Sequence, residues 1–110
     1  MKNINQEEWK QLVLNDPDAI IIDVRKPDEW VQGIIENAWM INVLDRRDFE
    51  IQGQTLNKEK NYYIYCRSGK RSASACLILK NIGVNNTHNL LGGILNWEGT
   101  IILPQNIELS

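Results

Sequence analysis

Cysteine, histidine and proline are scarce in this 110-residue sequence, which holds two, one and three of them respectively. Two cysteines, Cys66 and Cys76, are too few for a disulfide framework. Their spacing matches neither a C-x-x-C redox pair nor a zinc-ligand cluster. The single histidine, His88, has no second ligand or nucleophile beside it in sequence, so an exposed or hydrogen-bonded structural role is expected. Long apolar runs are missing too: stretches such as Ala19 to Ile22 and Cys76 to Leu79 fall far short of the ~20 residues that span a bilayer. The segment Met1 to Trp9 is polar and carries Glu7 and Glu8 where a secretory signal needs its apolar segment. An excess of one charge is also absent, since the formal net charge is -2 and the twelve Lys and Arg are scattered apart from a short cluster at Arg67, Lys70 and Arg71. That distribution excludes a broad nucleic-acid or membrane face and leaves room for a local anion site. The expectation is a soluble, cytoplasmic protein without metal or organic cofactor, carrying one reactive thiol in a reducing compartment. Two inert buried thiols are the alternative.

An apolar share of 43% and a charged share of 24% are ordinary for a globular protein. The length suits one domain over residues 1–110, able to bury about two-thirds of its unfolded surface. No repeat or low-complexity segment interrupts it. Asn5 followed by Glu8 predicts a capped helix over Gln6 to Leu14, with Trp9, Leu12 and Val13 on one face. Ala19 to Val24 is a largely β-branched run suited to a strand covered on both faces. Pro27 and the acids after it predict a short helix to Trp30, and Ala38 to Val43 a short strand. Leu44 to Lys60 is too mixed to assign beyond a helical stretch around Arg46 to Phe49. Asn61 to Tyr65 is a second strong strand, ending at Cys66. Ser72 to Ile82 reads as a helix closed by Gly83, Thr87 to Leu91 as a last strand, and Gly92-Gly93 leads into a helical turn to Trp97. This alternation predicts an α/β fold with a mainly parallel central sheet and helices on both faces. Ligands of such sheets bind beyond the carboxyl ends of the strands, where Cys66 stands.

The segment Cys66 to Ser72, C-R-S-G-K-R-S, joins a strand to a helix through a glycine-containing turn. Successive backbone amides in such a turn converge into a nest whose partial positive charge adds to that of the helix N-terminus. A thiol ordinarily ionising near ~8.5 is pulled down in that setting, so Cys66 becomes a nucleophile without a histidine base. The plain alternative is a buried strand-end cysteine beside a Ser-Gly turn. Asp23 and Arg25, two apart at a strand end, can point to one side and brace the neighbouring loop, with direct substrate contact as the other reading. Gly92-Gly93 permits tight backbone geometry, Trp97 suits the core, and Cys76 next to Leu77 and Ile78 reads as a small buried residue rather than a resolving thiol.

Over nearly its whole length the chain resembles the single-domain rhodaneses. Three stretches carry the resemblance: the loop C-R-S-G-K-R-S; Ile22-Asp23-Val24-Arg25 through Glu29-Trp30, Gly33 and Ala38; and Leu91-Gly92-Gly93-Ile94 through Trp97. One position departs, with Ile34 following Gly33 where the family usually has a histidine, a difference that touches a local hydrogen bond rather than the chemistry. The resemblance implies a sulfurtransferase in which Cys66 carries a persulfide, with Arg67, Ser68, Gly69, Lys70, Arg71 and Ser72 surrounding it as the substrate-binding loop. The donor would be a small molecule such as thiosulfate and the acceptor cyanide or a cellular thiol. A sulfur-relay module loaded by a partner protein is the alternative. Cysteine phosphatases and arsenate reductases share the plan of thiol, anion loop and helix. Their loops place five residues between Cys and Arg, whereas four separate Cys66 from Arg71, a smaller loop that suits one sulfur better than a tetrahedral phosphate.

Overall fold

The computed structural model describes residues 1–104. A short strand β1 (Lys2–Ile4) opens the chain, and the Asn5 side chain then accepts the Glu8 amide at 2.9 Å to start helix α1 (Gln6–Leu14). The β-branched run forms β2 (Ile20–Asp23), and Pro27 begins the single-turn helix α2 (Pro27–Trp30). Two minimal strands follow, β3 (Ile34–Ile35) and β4 (Trp39–Met40). Asp45 caps helix α3 (Arg46–Gln54) through the Asp48 amide. The aromatic strand β5 (Tyr62–Tyr65) then delivers Cys66 to helix α4 (Lys70–Ile82), which ends at left-handed Gly83. Strand β6 (Thr87–Leu90), a 3-10 turn (Ile94–Asn96) and strand β7 (Ile101–Ile102) complete the described chain.

The central sheet has the order β1-β6-β5-β2-β4, and every neighbouring pair is parallel. Side chains alternate across it, as the period of two requires. Tyr62 and Ile64 of β5 face one side, where Ile22, Val24 and Phe49 meet Ala75, Cys76 and Leu79 of α4. Tyr63 and Tyr65 face the other, against Trp9 of α1, Ile21 and Leu90. Trp9 meets the rings of Tyr63 and Tyr65 edge to face at 5.4 and 6.3 Å. The two cores hold helices on opposite faces, so β5 runs buried along its length and its carboxyl end cannot drift.

Several features differ from the sequence expectation, among them the strand expected over Ala38 to Val43, which is confined to Trp39–Met40. Strand β1 lies in a segment read only as polar, because Lys2 and Asn3 are exposed at a sheet edge and Ile4 alone is buried. Helix α3 continues past Phe49 to Gln54, and Gly53 lets it close on α4: a Cβ there would stand 3.0 Å from Leu79 and 3.2 Å from Ile82. A separate antiparallel pair, β3 with β7, sets Ile34 opposite Ile102. Ile34, the residue that departs from the family pattern, is buried in that pair. Among the described residues no helix is long and apolar enough to cross a membrane.

Candidate active site

Beyond Tyr65 the chain turns through Cys66 to Gly69 and enters α4 at Lys70, two residues earlier than the sequence placed the helix start. Gly69 adopts φ +108°, a conformation that L side chains avoid, and this aims its amide at Cys66 Sγ from 3.1 Å. The Ser72 hydroxyl lies 3.3 Å from the same sulfur. Burial of Cys66 pushes its thiol up, but hydrogen bonds from the Ser72 hydroxyl and from the amides of Ser72, Gly69 and Ser68 outweigh it, and the net direction is down. A sulfur anion at this point is met by backbone donors already in place, the physical content of a nest at a helix start.

The loop is splinted from behind. Ile94 and Leu95 donate their amides to the carbonyls of Cys66 and Arg67 at 3.0 and 3.1 Å. Gly93, at φ +58°, sits so close that a Cβ would fall 2.4 Å from the Arg67 oxygen and 2.5 Å from that of Cys66. On the other flank Arg25 donates to buried Asp23 at 2.8 Å and to the Gly33 carbonyl at 2.7 Å, while Trp30 Nε1 reaches Asp23 at 3.1 Å. Asp23 and Arg25 thus brace the turn after α2. Asn89 on β6 completes the support, donating to the Gly69 carbonyl at 3.2 Å and to Asn3 at 2.9 Å and accepting from Ser72.

Of the loop residues singled out in the sequence, Ser68, Gly69 and Ser72 converge on the Cys66 sulfur. Lys70 is exposed on the first turn of α4. Arg67 is exposed and lines a hollow of about 330 Å³ with Arg25, Gly33, Ile94, Leu95 and Ile101. Arg71 is not the free cation that its place beside Lys70 suggested. Its guanidinium is clasped by Glu29 in a two-pronged pair of 2.6 and 2.9 Å, and the Arg71 hydrogen bonds hold the Glu29 carboxyl down at about 2. The partner lies on α2, 42 positions away, and no local pattern announces it. Asn89 was missed for the same reason, whereas the tight backbone geometry expected of Gly92-Gly93 is found at Gly93, with the carbonyls of Cys66 and Arg67 as its partners.

The remaining candidates occupy structural places. Cys76 is fully buried in the α4 core, and burial pushes its thiol up to about 11. His88 stacks on Tyr63 at 4.6 Å, and burial lowers its affinity for a proton. Trp97 packs edge to face on Trp9 at 6.4 Å with Lys10 over its ring.

The Rhodanese-like domain model matches residues 5–100. A protein named Sulfurtransferase from Allochromatium vinosum is 34% identical over 97 residues, covering 88% of each chain. A tRNA uridine(34) hydroxylase from Pelagibacter ubique is 33% identical over 95 residues, which make up 86% of this chain and 31% of that protein. Among solved structures, a rhodanese-like domain protein from Staphylococcus aureus superposes with a TM-score of 0.80 at 32% identity, covering 94% of this chain and 99% of that one. Strand order, a sulfur held by loop amides and kinship over almost the whole sequence agree, and the chain belongs to the rhodanese-like domain family of sulfurtransferases.

Proposed function

We propose that residues 1–110 act as one catalytic unit that moves sulfane sulfur from thiosulfate to a thiophilic acceptor through a persulfide on Cys66. The observation that carries this reading is the convergence of the Gly69 amide and the Ser72 hydroxyl on Cys66 Sγ, with the thiol lowered despite its burial. The thiolate, its proton given up to solvent, attacks the outer sulfur of thiosulfate. A new S–S bond forms, the S–S bond of thiosulfate breaks, and sulfite leaves with the bonding pair. Cyanide or a cellular thiolate then attacks the outer sulfur of the persulfide and releases Cys66 as thiolate. The amides of Arg67 to Ser72 stabilise the charge on the bound sulfur, and exposed Lys70 and Arg67 draw in the dianionic donor. A reducing cytoplasm would keep Cys66 in the thiol state this cycle needs.

Incubation with thiosulfate is expected to yield a protein heavier by one sulfur atom, with the added mass on the Cys66 peptide and discharged by cyanide. Failure of Cys66 to gain sulfur from thiosulfate would remove thiosulfate from the reading. Robust Cys66-dependent turnover of aryl phosphates would overturn sulfur transfer itself. A second reading, in which a partner protein loads Cys66, draws support from exposed Leu95 and Ile101 at the hollow beside Arg67. It predicts loading by a protein persulfide donor and slow loading by thiosulfate.

A further inference from the structure

The Ser72 hydroxyl has one proton and two claimants. Its oxygen lies 3.3 Å from Cys66 Sγ and in a short hydrogen bond to Asn89 Oδ1. The orientation of the Asn89 amide settles which claimant holds the proton at rest. Asn89 Nδ2 faces the Gly69 carbonyl, an obligate acceptor, at 3.2 Å, and turning the amide over would set two carbonyl oxygens against each other. Oδ1 therefore faces Ser72, and Ser72 must donate to it. With that proton committed, the hydroxyl can offer Cys66 only a lone pair, which suits a neutral S–H donor and not a sulfur anion. Ser72 and Asn89 are both buried, with 0% and 3% of their surface exposed, so solvent does not replace a lost partner freely.

We infer that Asn89 is a positioning residue that governs the reactivity of Cys66 by competing for the Ser72 proton. When Cys66 loses its proton to solvent, the Ser72 hydroxyl turns from Asn89 Oδ1 to the sulfur anion, and Asn89 is left with an unpaired oxygen. When the sulfur is neutral again, the hydroxyl returns. The anion gains a third kind of donor beyond the loop amides, but only against the claim of Asn89. The resting thiol is thereby held back, and a negatively charged sulfur, thiolate or persulfide, is what pulls the proton across. Asn89 also donates to Asn3 of β1 at 2.9 Å, so the state of the sulfur is felt at the sheet edge. The other charges that bear on Cys66 come from α4, where Arg71 is paired with Glu29 of α2 and Cys76 stays protonated. None of these is altered by a change at Asn89.

This inference rests on Cys66 being the reactive thiol, and its test does not require sulfur transfer. The rate of Cys66 alkylation by iodoacetamide, read on the Cys66 peptide by mass spectrometry across a pH series, reports the anionic fraction. Removing the competitor in Asn89→Ala is expected to speed alkylation about fivefold at pH values below the inflection, the equivalent of one net hydrogen bond of ~1 kcal/mol. The inflection itself moves to lower pH. The effect must vanish in a Ser72→Ala background, where no hydroxyl proton is contested. Slower alkylation in Asn89→Ala, or an acceleration that persists without Ser72, would overturn the inference while leaving thiosulfate loading of Cys66 untouched. Should Asn89→Ala fail to fold, the wild-type protein decides: the Asn89 side-chain amide resonances must shift as Cys66 titrates and again when it carries a persulfide. Resonances that do not move through either change refute the competition.

Discussion

Adjacent glycines after β6 offer a controlled test of how tightly the sulfur loop must be held. Gly92 and Gly93 share one turn and both have positive φ, +79° and +58°, and Gly93, with ψ -159°, lies in a region that glycine alone adopts readily, so an alanine strains the backbone at either position and most at Gly93. What the added methyl meets is different. At Gly92 it would strike the Asn96 side chain, 2.6 Å from its amide nitrogen, and that side chain is exposed and free to swing away. At Gly93 it would strike the Arg67 carbonyl at 2.4 Å and that of Cys66 at 2.5 Å, where ordinary contact begins at 3.4 Å. The backbone carrying the nucleophile would have to retreat by about 1 Å, a displacement that can cost on the order of a hundredfold in rate. Gly93→Ala is therefore expected to slow single-turnover sulfur loading of Cys66 about a hundredfold, and Gly92→Ala by less than about fivefold. Thermal melts of both variants should fall, that of Gly93→Ala further, because ~1–3 kcal/mol of strain there adds to overpacking against the backbone. Folded Gly93→Ala that loads sulfur within about twofold of Gly92→Ala would refute the idea that this contact sets the position of the loop.

Cys66→Ser should abolish thiosulfate-to-cyanide transfer, whereas Cys76→Ser should keep the rate within about threefold and lower the melting temperature, because Cys76 lies in the core; a thiocyanate assay and a melt distinguish the two. Glu29 titrates near 2 in the folded chain against 4.5 as its ordinary value, held down chiefly by the Arg71 hydrogen bonds, so its contribution is present above pH 4.5 and lost as pH falls toward 2. Glu29→Gln should then cost about 1–2 kcal/mol in urea unfolding at pH 7, with the gap narrowing between about pH 4.5 and 3; a gap independent of pH would count against the pair. Lys70→Ala should lower kcat/KM for thiosulfate and flatten its salt dependence with little loss of stability, while Arg71→Ala, which strands Glu29, should lose stability as well. Equal salt slopes in wild type and Lys70→Ala would leave the anion to Arg67 and the backbone amides.

Strong local periodicity made much of the fold legible. Runs such as Ile20 to Ile22 and Tyr62 to Tyr65 carry enough β-branched and aromatic side chains to declare a buried strand, and Asn5 with Glu8 declares a helix start. Strands β1, β3 and β7 escaped because two or three residues contain no period; they exist only because a neighbour supplies the hydrogen bonds. The site divides in the same way. A thiol, a glycine and a serine at fixed offsets around a strand-to-helix turn can be read as an amide nest. Whether Arg71 is free or spoken for depends on Glu29, and whether Ser72 gives its proton to sulfur depends on Asn89. Both are contacts between distant positions, set by how α2 and β6 dock rather than by anything near Cys66 in the chain.

The parallel pairing of β1 with β6 joins Lys2 to His88 and Ile4 to Leu90, so β1 waits for a strand that follows it only after four other strands and four helices. Until residue 90 has left the exit tunnel, β1 has no partner and the contacts between these distant positions are unformed, a topology that slows folding. The order also fixes which side of the sheet is vulnerable. If β1 frays, β6 becomes an exposed edge whose Thr87 to Leu90 backbone can template another chain. A bulky fusion placed against Met1 would press on that seam, whereas the same fusion on an exposed loop would not.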